Sequence, residues 1–86
     1  MNDNNSDIDT TKTLGEYVSI VLKNYFNNLD GQRTTDLYNM VLSEVERPLL
    51  ETVLTHTNRN QTTTANILGL SRGTLRKKMQ QYNLLD

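Results

Sequence analysis

The chain has 86 residues, no cysteine and one histidine, and its nine basic and ten acidic residues give a formal net charge of −1. A chain of this length buries only about 60% of the surface that its unfolded form exposes, so oligomerisation is the expected additional source of stability. The composition excludes disulfide bonds and thiolate metal sites, and no apolar run is long enough to cross a bilayer. Because the chain also lacks a signal-like start, we expect it in the cytoplasm, with no membrane partner.

The charges are distributed unequally between the two ends of the chain. Residues 1–56 carry four basic and nine acidic residues, whereas residues 57–86 carry five basic residues and one acidic residue. The two segments therefore have net charges of −5 and +4. This distribution indicates that the carboxy-terminal segment faces a polyanion and that the rest of the chain is kept away from it.

The first predicted helix follows a polar segment. From Leu14 to Leu29, apolar residues recur every three or four positions, which is the pattern of one helix face. Thr13 or Thr11 is expected to start this helix, and Asp30-Gly31 to end it. Its aromatic residues are interpreted as packing groups rather than as a ligand site.

A second and longer helix is predicted from Thr35 or Asp36 to about His56. Its apolar residues cover more than one side of the helix, which in a small protein indicates one partner within the chain and another outside it. We therefore expect a homodimer with this helix at its centre. The residues assigned to the dimer core are Val41, Val45, Pro48, Leu49 and Val53.

Pro48 lies in the interior of the second predicted helix, where it removes one amide donor and presses against the carbonyl group of Glu44. A kink is therefore expected at Pro48. The alternative is that Pro48 begins a separate helix, which would give five helices instead of four. The segment 43–47 has no glycine or turn signal and keeps the apolar periodicity, which favours one kinked helix.

Residues 61–82 have the pattern of a helix, a tight turn and a second, basic helix. Ala65 is small enough for two helices to cross closely, Gly69 can adopt the left-handed conformation that ends a helix, and Ser71 can cap the next one. The apolar residues that would form a shared core are Leu68, Leu70, Leu75 and Met79. The exposed side of the second helix is expected to be rich in donors and to contain no acidic residue; its residues are Arg72, Thr74, Arg76, Lys77, Lys78, Gln80 and Gln81. This is the pattern of a helix-turn-helix whose second helix suits the DNA major groove.

A polar connection precedes the helix-turn-helix. His56 has no neighbouring ligand-type residues, so packing at a helix end is favoured over a metal or acid–base role. At the start of the third helix, polar side chains and free amides can contact a phosphate, but the same residues serve equally well as helix caps. These residues are Asn60, Thr62, Thr63 and Thr64, and both interpretations remain open.

The predicted architecture is therefore all-α, with four helices in each protomer of a homodimer. Residues 1–12 are expected to form a flexible tail, because they contain too few apolar groups to offset the entropy of ordering. Residues 13–57 are assigned to a helical dimerisation core, and residues 58–86 to a helix-turn-helix unit.

Four stretches of the sequence, in the same order, resemble the Fis family, which is named for the factor for inversion stimulation. They are KNYFNNLDGQ (23–32), DLYNMVLSEVERPLL (36–50), NQTTTANILGLSRGTLRKK (60–78) and the closing Tyr82. The resemblance implies a bacterial nucleoid-associated homodimer that binds and bends duplex DNA with degenerate sequence preference. It also implies a global transcription regulator and DNA architectural factor, with RNA polymerase or a site-specific recombinase as candidate partners.

The same resemblance suggests which side chains contact DNA. It makes Arg72 the guanine-contacting residue, and the fork of an arginine matches the two acceptors of guanine. A contact to phosphate alone remains the alternative for Arg72. Base contacts are assigned to Arg72, Arg76 and Ser71, and phosphate contacts to Asn60, Thr62, Thr74, Lys77 and Lys78. Because this chain has glutamines at 80 and 81, where the family often has lysines, weaker phosphate attraction is expected.

Other classes of function are weighed against this one. The SRGTLRKK segment also resembles the carboxy-terminal domains of nitrogen-regulator-type activators, so a detached DNA-binding and dimerisation domain of such an activator is one alternative. A helical protein-interaction module that binds an acidic partner instead of DNA is another. An enzyme is not expected, because the chain has one histidine, no cysteine and no glycine-rich phosphate loop. No metal and no cofactor are expected.

Overall fold

The computed structural model describes residues 9–85, which form four α-helices and no β-strand. The helices are α1 (Leu14–Asn27), α2 (Leu37–His56), α3 (Gln61–Leu68) and α4 (Arg72–Gln81). The prediction of an all-α chain with four helices per protomer is confirmed. None of the helices in this part of the chain combines the length and the apolar character needed to cross a membrane.

The described residues fall into two compact units, of which the first ends at Thr34 and the second begins at Thr35. In the first unit, α1 starts with a capping box at the predicted Thr13. The Thr13 hydroxyl accepts a hydrogen bond from the Glu16 amide at 3.1 Å, and the Glu16 carboxylate accepts one from the Thr13 amide at 2.7 Å. The helix ends at Asn27, and the Asp30-Gly31 pair that was predicted to end it follows, with positive φ at both residues.

The segment before α1 makes local hydrogen bonds. Of the predicted tail, residues 1–8 lie outside the described residues. In the remaining part, the Asp9 carboxylate accepts hydrogen bonds from the Thr11 amide and the Lys12 ammonium, and the Tyr17 hydroxyl donates to the Asp9 carbonyl oxygen. These bonds link residues 9–12 to the start of α1, and a flexible tail over residues 1–12 stays a prediction.

The second unit contains α2 as one uninterrupted helix with Pro48 inside it. The alternative in which Pro48 begins a separate helix is therefore wrong. Asp36 occupies the position before the first residue of α2, but its side chain makes no bond to a helix amide. Instead, its carboxylate accepts a hydrogen bond from the side-chain amide of Asn39 at 3.0 Å, so the predicted cap is present in position only.

One hydrophobic core joins α2 to the helix-turn-helix. Its buried residues come from the second half of α2, from α3, and from α4 with the residue that follows it: Leu50, Leu54, Ala65, Leu75, Met79 and Tyr82. Leu68, Leu84 and Leu85 pack against this core from its edge. Because α2 supplies two of the buried leucines, the division predicted after residue 57 does not coincide with a boundary in packing. The assignment of residues 13–57 to dimerisation and of residues 58–86 to DNA binding stays a prediction.

The turn between α3 and α4 uses the predicted glycine. Gly69 has a φ of 76°, and the amide groups of Leu70 and Gly69 donate to the carbonyl groups of Ala65 and Asn66 at 2.9 and 3.2 Å. These two bonds are those of a Schellman motif, which satisfies the last carbonyl groups of a helix. The motif directs the chain from α3 into α4 within three residues.

Gly69→Ala is expected to lower the free energy of unfolding by about 1 kcal/mol, because alanine adopts a positive φ only with strain. No atom lies within 4 Å of a Cβ added at Gly69, so backbone strain is the sole expected cause. Gly73→Ala in α4 is the matched control. Its added Cβ also meets open space, and its φ is not in the left-handed region. Urea denaturation at one protein concentration measures both, and equal losses would contradict the assignment.

Candidate nucleic-acid interface

The orientation of α4 follows from its cap and its two buried residues. Ser71 caps the helix, its hydroxyl oxygen accepting a hydrogen bond from the Thr74 amide at 3.1 Å. Leu75 and Met79, one helical turn apart, are completely buried, so the opposite side of α4 faces solvent. The exposed residues of α4 are Arg72, Gly73, Thr74, Arg76, Lys77, Gln80 and Gln81. The prediction of a donor-rich exposed surface without acidic residues holds for all its members except Lys78.

The two arginines predicted to reach bases differ in their surroundings. Arg72 is the first residue of α4 and is exposed, and its side chain makes no hydrogen bond or ion pair with residues 9–85. Arg76, one turn later, donates from Nη1 to the Oε1 atom of Gln61 at 2.8 Å. Gln61 is the first residue of α3, so α3 orients the guanidinium group of Arg76 without neutralising its charge. Ser71, the third predicted base contact, is exposed, and its hydroxyl is hydrogen-bonded to that of Thr74.

The polar residues at the start of α3 were interpreted either as phosphate contacts or as helix caps, and the structure gives them different surroundings. The Asn60 side chain caps α3 by accepting a hydrogen bond from the Thr63 amide at 3.0 Å, and Thr62 and Thr63 are exposed. Thr64, in contrast, is completely buried, and its hydroxyl lies 2.6 Å from that of Thr57. A phosphate contact by the Thr64 side chain is therefore wrong. This hydroxyl instead satisfies a polar group next to the core.

Lys78 was expected to be exposed, but it is half-buried against α2. Its ammonium group lies 2.7 Å from one carboxylate oxygen of Glu46, and the Tyr82 hydroxyl donates to the other oxygen at 2.5 Å. The guanidinium carbon of Arg47 lies 5.6 Å from the centre of the Tyr82 ring. The side chains of Glu46 and Arg47 on α2 thus contact the last turn of α4 and Tyr82, the residue that follows it.

These contacts change the proton affinities of all three groups. The ammonium group of Lys78 and then the hydroxyl of Tyr82 hold the pKa of Glu46 below its ordinary value. The Glu46 carboxylate raises the pKa of Lys78, and the same carboxylate together with burial raises the pKa of Tyr82. The ionised form of Glu46 is therefore favoured in the folded chain.

The stability that Glu46 contributes should be lost in acid. Its folded pKa is depressed, so this contribution is complete above the ordinary carboxyl pKa of 4.5 and disappears as the pH falls through the folded value. Glu46→Gln is therefore expected to be less stable than the unaltered chain at pH 6, and this difference is expected to shrink as the pH falls below 4.5. Urea unfolding followed by circular dichroism measures this difference, with Glu51→Gln as a control on the same helix. A difference that is independent of pH would contradict the assignment.

The residues predicted to form a dimer core lie on α2. Val41, Val45 and Val53 are half-buried in the single chain, whereas Pro48 and Leu49 are exposed. Three further large apolar side chains are exposed on α2, those of Tyr38, Met40 and Leu42. The second unit therefore presents an apolar surface that its own core does not cover.

Sequence reasoning missed two polar residues that position α4, Gln61 and Glu46. Gln61 lies 15 positions before its partner Arg76, and Glu46 lies 32 positions before Lys78. No short-range pattern connects residues so far apart, and Glu46 looked like one of several acidic residues on a solvated helix. His56 is exposed at the end of α2, and no group of three or more metal-ligand side chains is present among residues 9–85.

Comparison with known proteins gives the chain a family. Residues 41–82 match the family model described as "Bacterial regulatory protein, Fis family". A Fis-like DNA-binding protein of Pseudomonas aeruginosa is 60% identical over 74 residues, which cover 86% of this chain and 71% of that protein. The DNA-binding protein Fis of Aliivibrio fischeri is 51% identical over 87% of this chain and 76% of its own length. The protein of the same name from Proteus mirabilis is 49% identical over 94% of this chain and 83% of its own length.

The matched residues include the second half of α2, all of α3 and α4, and the turn at Gly69. They therefore contain the whole core that holds α4 in place. The family is one of regulatory proteins and not of enzymes. The chain belongs to the Fis family of bacterial regulatory proteins.

Proposed function

We propose that this chain is a homodimeric, nucleoid-associated protein that binds and bends duplex DNA with degenerate sequence preference. The observation that carries the proposal is the exposed side of α4, which contains donors and cations but no carboxylate. α4 begins at an exposed arginine and is held on a buried core by Leu75 and Met79. The relatives from Aliivibrio fischeri and Proteus mirabilis, which are named DNA-binding proteins, support the same reading.

In this proposal, the first turns of α4 enter the major groove. Arg72 contacts guanine through its two parallel donors, and Arg76, oriented by Gln61, contacts a base or the groove wall one turn further on. Ser71 lies next to Arg72 and is the third residue assigned to bases. Contacts to phosphate fix the register without reading sequence, and we assign them to Asn60, Thr62, Thr74, Lys77 and Lys78.

Self-association is supported by the apolar side chains that the single chain leaves exposed. On α2, Leu49 is 48% exposed and Tyr38 is 75% exposed. On α1, which belongs to the other unit, Leu14 and Val21 are 68% and 63% exposed. A small chain with so much uncovered apolar surface gains stability when a second copy covers it. We propose that Val41, Val45, Pro48, Leu49 and Val53 lie in that interface.

Two identical copies of α4 require a DNA site with two-fold symmetry, whose halves lie about one helical turn apart. We propose that the two helices are closer together than one turn of straight DNA, so that the duplex bends to meet both. The cost of bending depends on sequence, and flexible or A·T-rich centres would be preferred without direct contact. A bent duplex can bring RNA polymerase or a site-specific recombinase to a distant site, which would make the protein a global transcription regulator and architectural factor.

The experiment that tests the proposal has two parts. Fluorescence anisotropy with a labelled duplex, repeated at several salt concentrations, should show affinity that falls by orders of magnitude as salt rises. Circular-permutation gels should then show mobility that depends on the position of the binding site in the fragment. Salt-insensitive binding, or no competition by unlabelled duplex, would favour a protein-interaction module. Mobility that is independent of position would reject bending while retaining DNA binding.

A further inference from the structure

Glu46 is an acidic residue of α2 that contacts α4. One of its carboxylate oxygens binds the ammonium group of Lys78 at 2.7 Å, and the other accepts the hydroxyl of Tyr82 at 2.5 Å. Lys78 is one of four basic residues on α4, and the proposed DNA interface includes it. The carboxylate of Glu46 thus binds Lys78, a cation that the exposed side of α4 would otherwise present to phosphate.

We propose that Glu46 competes with DNA phosphate for Lys78 and thereby limits the part of the affinity that does not depend on sequence. This inference rests on the proposed function, because it concerns the DNA that α4 would bind. Phosphate contacts supply essentially all of non-specific binding. When Glu46 holds Lys78, part of the positive charge of α4 is neutralised before any DNA arrives.

The exposure of the ion pair makes competition possible. The side chains of Lys78 and Glu46 are 31% and 27% exposed, so water and phosphate can reach both groups. Such partly exposed pairs are weak, and lysine carries its charge on a flexible stem with three donors. The carboxylate and a phosphate can therefore compete for Lys78, whereas a fully buried ion pair would hold it on Glu46.

The other anchored cation of α4 shows that positioning does not require neutralisation. Arg76 is held by Gln61, a neutral amide, and keeps its whole charge available to DNA. Lys78 is held by a carboxylate, which neutralises part of its charge. The chain therefore orients one cation and restrains the other, which lowers non-specific affinity more than the affinity for a site with good base contacts. The ratio between the two affinities determines whether a regulator finds its sites.

Glu46→Gln tests this inference directly. The glutamine keeps the size of the side chain, and its amide oxygen still accepts a hydrogen bond from Tyr82, but it no longer binds the charge of Lys78. Affinity for a random-sequence duplex at about 0.1 M salt is expected to rise on the order of tenfold, because the dimer frees two lysines. The slope of log affinity against log salt is expected to steepen by about one to two. A residue that only positioned α4 would lower affinity when replaced and leave this slope unchanged.

Two control variants isolate the contact with Lys78. Glu51→Gln removes the same charge from an exposed position of α2 and is expected to give less than half of the gain. In a Lys78→Gln background, Glu46→Gln is expected to lose most of its gain, since no lysine is then released. Each purified variant is compared with the unaltered chain on one random-sequence duplex and one selected site.

The possible outcomes are distinct. A gain with Glu46→Gln that equals that of Glu51→Gln, or that persists in the Lys78→Gln background, would overturn the inference and leave DNA binding intact. A loss of affinity with an unchanged salt slope would show that Glu46 only positions α4, and would also overturn it. Absence of duplex binding by the unaltered chain would overturn the proposed function and this inference together.

Discussion

Arg72→Ala is expected to weaken binding to a selected two-fold site by about 2–6 kcal/mol, since each half-site loses about 1–3 kcal/mol. The corresponding fall in affinity is about 30-fold to more than 10,000-fold. The physical reason is that Arg72 is exposed at the first position of α4, where we propose that its two parallel donors bind the acceptors of guanine. The stability of the folded chain should change little, because the side chain contributes nothing to the core.

The measurement for Arg72 is a selection of bound fragments from random DNA, followed by anisotropy on the selected site and on an unrelated duplex. Arg72→Lys is the matched control, since lysine keeps the charge but lacks the planar fork. If Arg72 reads guanine, lysine restores affinity for the unrelated duplex and not the preference for the selected site. If lysine restores both equally, Arg72 contacts phosphate alone.

Leu49→Lys is expected to raise the dissociation constant of the dimer by at least about 100-fold, because each protomer would bury an unpaired charge in the interface. Leu49 is 48% exposed in the single chain, so the lysine should not disturb the core formed by Leu50 and Leu54. DNA affinity should also fall when the dimer dissociates, because a monomer presents only one copy of α4 to a two-fold site.

Analytical ultracentrifugation across a concentration series measures the effect of Leu49→Lys, and circular dichroism verifies that the helices remain. Thr55→Lys is the control, since it adds the same charge at another exposed position of α2. The proposed interface predicts that only the variant at Leu49 dissociates. A stable dimer with lysine at 49 would place the contact between protomers elsewhere on the chain.

Together these variants separate the effect of sequence recognition on DNA binding from the effect of dimerisation. Arg72→Ala should leave the dimer intact while removing sequence preference, and Leu49→Lys should leave each reading helix intact while removing the second copy. Glu46→Gln differs from both, because it is expected to raise affinity for DNA while lowering the stability of the chain. No single structural defect would produce all three results.

Much of the local structure could be predicted because its causes lie within three or four residues of one another. Apolar spacing located α1 and α2, and the cap residues Thr13 and Ser71 begin α1 and α4 as expected. Gly69 ends α3 in the predicted left-handed conformation, because only glycine adopts it without strain. The sequence also sufficed to show that α4 carries four basic residues and no acidic residue.

Other features were decided only when the chain folded. Thr64 and its neighbour Thr63 have the same side chain, yet one is buried beside Thr57 and the other is exposed. Lys77 and Lys78 are adjacent cations, yet only Lys78 is bound to Glu46. Contacts between residues 15 to 32 positions apart depend on how the helices pack, and packing is set by the shared core as a whole and not by any short segment. The sequence therefore determined which surface carries the charge, and the tertiary structure decided how much of that charge is held within the molecule.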